Sequence, residues 1–415
     1  MANFEFVFTN NTYAGEELAG YMARTLLEAD SIKRGLITPI PNCKSRKVIL
    51  LVDDEIVLQD PSPIFTDQGT DASQTERYLD PVVYEFMKAQ SWDSLIQSWE
   101  QSQLKPGSLE DYNGVVDLSN FLVERYVEKI QIANERLYWL GKNDVKEAAF
   151  TAAYTGLLNK IAADANTYAI KLSSILNSSF TASAIAIDGN GIATVTATAP
   201  NVALLSDGDV VTINGTFGTF ADSIYGVISN TNPQSYSIAL VSTTTFKLVM
   251  NYNEMGNRKR KATFTGTATV SGTAATISFI NATNVLAVLG SIYAQVDEAT
   301  RNKPDFNIMV PYNVSRAYAI AQANKATNVL NAFVDKKVMD FLGDKLQVME
   351  QWRGNVVLAG RASNLFLGID LESDTSRLKV IYTGDYTGDE LVKMRARMKS
   401  DTNYAFANEL LYVSA

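Results

Sequence analysis

Residues 181–275 differ in kind from everything on either side of them. Thr, Ser, Ala, Gly and Asn dominate, and only four charged residues (Asp188, Asp207, Asp209, Asp222) precede Lys247. A stretch so poor in charge and so rich in β-branched and turn residues reads as short strands joined by tight turns. Asp188-Gly189-Asn190-Gly191 is a hairpin signal and Asp207-Gly208-Asp209 a second one. Phe246, Leu248 and Met250 alternate with Lys247 and Val249. Farther on, Thr263, Thr265, Thr267 and Thr269 fall on one strand face and Phe264, Ala268 and Val270 on the other. Helical patterns flank the segment on both sides. It is therefore expected to be an all-β module inserted into another domain, removable without loss of the surrounding fold.

The flanks mix helix and strand. Phe4–Phe8 is strand-like, and Leu18, Tyr21, Met22, Thr25 and Leu26 predict a helix over about 14–29. Residues 46–60 read as a bent strand or strand pair, 61–76 as loop, and about 80–100 as helical pieces. The strongest periodicity is Leu122, Tyr126, Ile130, Ala133, Leu137 and Leu140, a long helix over about 119–140 with Gly141 as its C-cap. A second helical stretch, about 144–176, breaks near Gly156. Beyond the β segment, helices are expected over about 281–300 and 312–343. Strands are expected at 355–359, 365–369, 378–382, 391–398 and 405–413.

What is missing narrows the function. There is no histidine, which removes the usual neutral-pH base and the commonest zinc ligand. Cys43 is the single cysteine, so no intrachain disulfide or cysteine cluster can form. It reads as a small, semi-buried residue in a reducing compartment. No dinucleotide, Walker or nucleophile-elbow pattern occurs, and a serine nucleophile would lack its histidine. The expectation is no enzyme, no cofactor and no metal. The start of the chain lacks the pattern of a signal peptide, and no run of 18 apolar residues could span a membrane, so a soluble, cytoplasmically made protein is expected.

The net charge of −9 argues against electrostatic binding of nucleic acid by the whole chain. The charge is uneven: residues 1–180 hold 16 basic and 25 acidic groups (−9), 181–257 hold 1 and 5 (−4), and 258–415 hold 19 and 15 (+4). This imbalance suits head-to-tail contact between copies, or is chance.

Four groups of residues stand out. Asp53-Asp54-Glu55 is the densest acidic cluster, but adjacent strand residues point to opposite faces, so it reads as a solvated turn rather than a magnesium site. Arg258, Lys259, Arg260 and Lys261 form a basic run that caps a strand, pairs with carboxylates of a neighbouring copy, or touches phosphate. Lys393, Arg395, Arg397 and Lys399 alternate with Met394, Ala396 and Met398, giving one basic and one apolar strand face. The basic face calls for acidic neighbours from elsewhere in the chain or from another subunit, with DNA phosphate second. Trp92, Trp99, Trp139 and Trp352 read as core or interface anchors rather than base-stacking platforms.

The order of segments adds a resemblance. A long helix ends in Tyr138–Lys142 (YWLGK), then comes Phe150–Ile161 (FTAAYTGLLNKI). After the β segment come TISFINATNVLAVLGSIYAQV, RNKPDFNIMVPYNVSRAYAIA and finally Asn364–Leu371, with Asn-Leu-x-x-Gly-x-Asp-Leu spacing. In this order the chain resembles the major capsid proteins of tailed bacteriophages with the Hong Kong 97-like fold, most of all those of crAss-like phages of gut Bacteroides relatives. The resemblance implies an α+β fold with an N-terminal arm (1–45) and an E-loop with adjoining segment (46–116). It further implies a peripheral domain with its spine helix (117–141) and final strands (376–415), an axial domain (142–180 and 276–375) and an inserted β domain (181–275). It implies self-assembly into hexamers and pentamers of an icosahedral shell around double-stranded DNA, with portal, auxiliary or decoration and head-fibre proteins as partners. Trp92, Trp99, the 258–261 run and the basic strand face would then be assembly contacts. The chain departs from the built-in scaffold type, having no long charged helical N-terminal segment, and it shows no assignable Lys–Asn cross-linking pair. A tail or baseplate structural protein, or a glycan-binding adhesin, is the alternative.

Overall fold

In the computed structural model, which describes residues 11–13, 26–55, 70–91, 118–141, 155–175, 177–215, 220–223, 226–228, 234–251, 260–265, 275–324, 333–335, 338–352, 354–370, 377–383 and 391–414, the chain is mixed α+β and rich in strands. It forms two compact units, one from 1–141, 152–156 and 365–405, the other from 142–151, 157–364 and 406–415.

The first unit is organised by one strand, Leu391–Tyr404. It pairs antiparallel with Arg377–Tyr382 and then Leu365–Ile369 along one edge, and with Val82–Ser91 along the other. Asn11–Tyr13 and Thr38–Ile40 complete the sheet. The expected alternation is present: Val392, Met394, Ala396 and Met398 are buried. The long helix Leu118–Trp139 packs on this apolar face, its Tyr126 ring 5.7 Å from that of Phe86. Its buried residues Val127, Ile130, Leu137, Tyr138 and Trp139 supply much of the core, each large apolar side chain contributing about 1.5–3 kcal/mol. The helix stops where Gly141 adopts φ +57° and its N–H bonds to Arg136 O, the predicted glycine cap.

Among the described residues, Lys47–Glu55 and Thr70–Leu79 pair with each other as a separate two-stranded ribbon. Cys43 is buried against Gly368, where an added Cβ would lie 3.2 Å from its Sγ.

Gly156 explains why the helix end and the Thr-Gly-Leu-Leu segment go together. Gly141 and Thr155 form an isolated bridge, and a Cβ on Gly156 would sit 2.5 Å from Gly141 N and 2.6 Å from the Trp139 carbonyl carbon. These are backbone atoms that cannot swing aside. Gly156→Ala is expected to cost about 1–3 kcal/mol through this clash, read as a lowered thermal midpoint.

Among the described residues the second unit holds two large sheets and a small three-stranded one of Gly226–Val227, Ala221–Asp222 and Phe264–Thr265. Seven strands run in the order Phe333–Asp335, Val338–Phe341, Asp344–Met349, Phe306–Pro311, Val357–Arg361, Leu411–Ser414, Tyr168–Lys171. Helices Val285–Gln295 and Tyr312–Ala323 share a core with them, through Val288, Leu289, Ile292, Val314 and Tyr318 against Ile308, Val310 and Leu346. The other large sheet has eight strands, all drawn from residues 179–279. It has a core of its own, where Phe220 stacks on Phe264 at 5.1 Å and Tyr236 approaches Phe264 at 5.2 Å. The Asp188–Gly191 signal joins the paired strands Ala184–Ile187 and Ala193–Thr196, as expected.

Several local expectations need correction. Residues 82–91, read as helical, are a strand, and the ribbon strand begins at Thr70, inside the stretch read as loop. The 144–176 helix is limited among the described residues to Leu157–Ala163, followed by a strand at Tyr168–Lys171. Residues 338–341 are strand rather than the end of a helix. The last strand, Leu411–Ser414, is short and pairs in the second unit, whereas Leu365–Ile369 pairs in the first. The unit boundary near 375 thus falls at 365, and the chain crosses back after 405. Of the helix expected over 14–29, Leu26 and Leu27 are helical and residues 14–25 lie outside the described residues.

Candidate functional site

The strand Leu391–Tyr404 turns its other face outward. Lys393 and Arg395 are exposed and Arg397 and Lys399 half-buried, forming a basic row with alternate residues ~7 Å apart. On Val82–Ser91 their cross-strand partners are Ala89, Met87, Glu85 and Val83. On the other side Arg377 and Lys379 register with Arg397 and Arg395. Glu85 is the acidic neighbour the row calls for: its Oε2 accepts from Arg395 Nε (2.9 Å) and Nη2 (2.6 Å) and from Arg397 Nη2 (3.3 Å). The hydrogen bonds from Arg395 hold the Glu85 carboxyl below the usual range.

One carboxylate does not balance four cations. The basic surface also continues past the strand, because Lys399 Nζ donates to Lys44 O in the exposed segment carrying Lys44, Arg46 and Lys47. Arg46 lies 4.0 Å over the Tyr78 ring. Val83 and Met87, 42% and 64% exposed, add apolar area to the same sheet face. The surface is thus basic with apolar flanks, which suits an acidic protein surface better than bare phosphate.

Two polar devices escaped the sequence reading. Glu135, buried on the long helix, accepts from Ser31 N (3.2 Å), Ser31 Oγ and Trp139 Nε1 (3.0 Å), and so fixes the Leu26–Lys33 segment to that helix. Burial pushes the Glu135 carboxyl up, against these hydrogen bonds. In the second unit, buried Asn355 is a five-bond node. Its Oδ1 accepts from Ile280 N and Asn313 Nδ2, and its Nδ2 donates to Val210 O, Thr212 Oγ1 and Ser278 O, all at 3.2 Å. The other predicted residues divide. Trp139 and Trp352 are buried, the first joined to Ser31 and Glu135. Trp92, Trp99, Arg258 and Lys259 lie outside the described residues, as does most of the acidic segment after Glu55. Arg260 and Lys261 register with Asn251 and Met250 on a strand edge, and Lys261 is exposed. Among the described residues, no group of three or more His, Cys, Asp or Glu could hold a metal, and no helix is long and apolar enough to cross a membrane.

No family model matches the chain, and no curated protein is similar to it in sequence. Solved structures are similar in fold. A chain of the satellite phage P4 procapsid, which includes the size determination (Sid) protein, matches with a TM-score of 0.50 at 11% identity, over 98% of this chain and 92% of that one. The capsid of Myoviridae phage XM1 matches with a TM-score of 0.43 at 12% identity over 99% and 96%. Mycobacterium phage Ogopogo gives 0.43 at 10% identity over 98% and 94%. At 11% identity, the likeness to the P4 procapsid chain is one of fold.

Proposed function

We propose that this chain is the major capsid protein of a tailed phage, of the Hong Kong 97-like kind and most like those of crAss-like phages. In this reading it assembles into hexamers and pentamers of an icosahedral shell that encloses double-stranded DNA. The observation that carries the reading is the near-full-length fold likeness to a procapsid chain. Residues 1–45 serve as the arm, and the ribbon with its adjoining segment as the E-loop. The long helix and the sheet around Leu391–Tyr404 form the peripheral domain, the seven-stranded sheet the axial domain, and 181–275 an inserted domain open to decoration or head-fibre proteins. The portal is the expected partner at one vertex.

The charges support the same reading. Between Lys47 and Arg77 there is no Lys or Arg, but there are Asp53, Asp54, Glu55, Asp60, Asp67, Asp71 and Glu76. A two-stranded ribbon is marginal alone in water. Laid over the basic strand face of a neighbour, it gains both a surface and its counter-charges. An acidic chain also avoids clinging to the packaged polyanion.

Negative-stain electron microscopy of the purified full-length chain is the test. Shells or ring capsomers are expected. A protein that stays monomeric at every concentration and salt tried overturns the reading.

A further inference from the structure

Leu342 combines two properties that serve an isolated chain poorly. It is the most exposed large apolar side chain among the described residues, at 67%, and its φ is +53°. Phe341 pairs with Asp344, so Leu342 and Gly343 (φ +93°) form a two-residue turn with both residues left-handed. Asn, Asp or Gly suits the first of these positions, and a leucine there is strained. Asp340 and Asp344 flank the tip, and Asp340 Oδ1 accepts from Gly343 N at 2.9 Å.

The same unit carries a complementary hollow. A cleft of about 160 Å³ opens between the 206–210 loop, the 280–283 turn and helix Tyr312–Ala323. Ile280, Ala282, Ala317 and Ile320 give it an apolar lining, and exposed Arg316 stands at its rim. A cavity of about 150 Å³ holds a benzene ring, so this one has room for a leucine side chain. Asp209 Oδ2 at its edge is already held by Ser206 N and Asn281 Nδ2. The hairpin cannot reach its own cleft. Tyr318 turns toward the hairpin, its hydroxyl donating to Asp340 O at 2.7 Å. Arg316 and Ile320 lie about 160° around the helix from Tyr318, at roughly 100° per residue, so the helix stands between the two features.

We infer that the Leu342 tip of one copy seats in the cleft beside Ile320 of the next, with Asp340 facing Arg316. Knob and hollow are different surfaces of one chain, so the contact is head-to-tail, the kind that makes a ring where its rotation closes. This inference rests on the assembly reading above. The test uses the full chain with two variants. Leu342→Asn relieves the turn, so its melting temperature is expected to match or exceed that of the parent, while ring and shell yield at equal concentration falls at least tenfold. A Leu342→Cys, Ile320→Cys double variant is expected to give disulfide-linked ladders from assembled particles under mild oxidation, native Cys43 being buried. If Leu342→Asn melts lower or assembles like the parent, or if particles form without ladders, the contact is wrong and the capsid reading stands. If the parent never assembles, both fall.

Discussion

Asn355→Ala is expected to destabilise the second unit by about 3–4 kcal/mol, more than any other single truncation proposed for it. The amide is buried, and its five partners come from four separate places: Val210 and Thr212, Ser278, Ile280, and Asn313. Truncation to Ala takes a partner from two donors and three acceptors; half-buried Asn313 can turn to water and Thr212 Oγ1 keeps Ser235 Oγ at 2.9 Å, so the cost falls on Ile280 N, Val210 O and Ser278 O, at about 1–3 kcal/mol for each group left orphaned. Relaxation and mutual re-pairing recover part of this, which sets the estimate below the sum. Because Val210, Thr212 and Ser278 belong to the eight-stranded sheet, the loss concentrates where that sheet meets the 355 loop. Urea unfolding measures the total, and amide exchange at Val210–Gly215 and Ala275–Phe279 locates it. A loss under about 1 kcal/mol would mean the amide is incidental. The same joint bears on the expectation that 181–275 can simply be removed: excision takes Val210 and Thr212 from Asn355 and leaves it Ser278, Ile280 and Asn313, so the shortened chain should lose stability at this joint.

Such joints were invisible in the sequence because nothing local marks them. Asn355 and Thr212 stand 143 positions apart, and Glu135 and Ser31 104. A lone Asn or Glu among polar residues gives no periodic signal. Legible elements were those whose burial follows one period. Leu118–Trp139 and the 391–398 alternation are of that kind. The second strand runs on to Tyr404 because Ser400, Asp401 and Thr402 are buried polar residues, with Asp401 Oδ2 accepting from Asp80 N and Thr402 Oγ1 donating to Tyr138 O. Their polarity broke the apolar pattern just where hydrogen bonds replaced it. Residues 82–91 were read as helical together with the stretch that carries Trp92 and Trp99, while the β-branched and aromatic run Val82-Val83-Tyr84 was the truer signal. That error hid Glu85. The basic face was legible, but Glu85, its counter-charge among the described residues, was not.

Reversing the centre of that face should stop assembly while sparing the fold. In the Arg395→Glu, Arg397→Glu double variant the outward row keeps Lys393 and Lys399 as its cations and carries two carboxylates between them, so its net contribution falls from +4 to zero. Glu85 loses its partners and gains two like charges, but the site is solvent-facing, where ion pairs contribute no more than about 1 kcal/mol. Melting by circular dichroism should therefore shift by only a few degrees. The intermolecular effect is larger because the acidic segment between Lys47 and Arg77 meets repulsion in place of attraction, repeated at every contact in a shell. Shell yield should fall at least tenfold, about 1.4 kcal/mol per contact. Parent assembly should itself weaken between low and high salt as screening shortens to a few ångströms. Adding Asp53→Lys and Asp54→Lys to the reversed variant restores opposite charges across the same contact and should recover part of the yield. A reversed variant that builds shells as well as the parent would detach the basic strand face from assembly, and a salt-insensitive parent would say the same without any mutation.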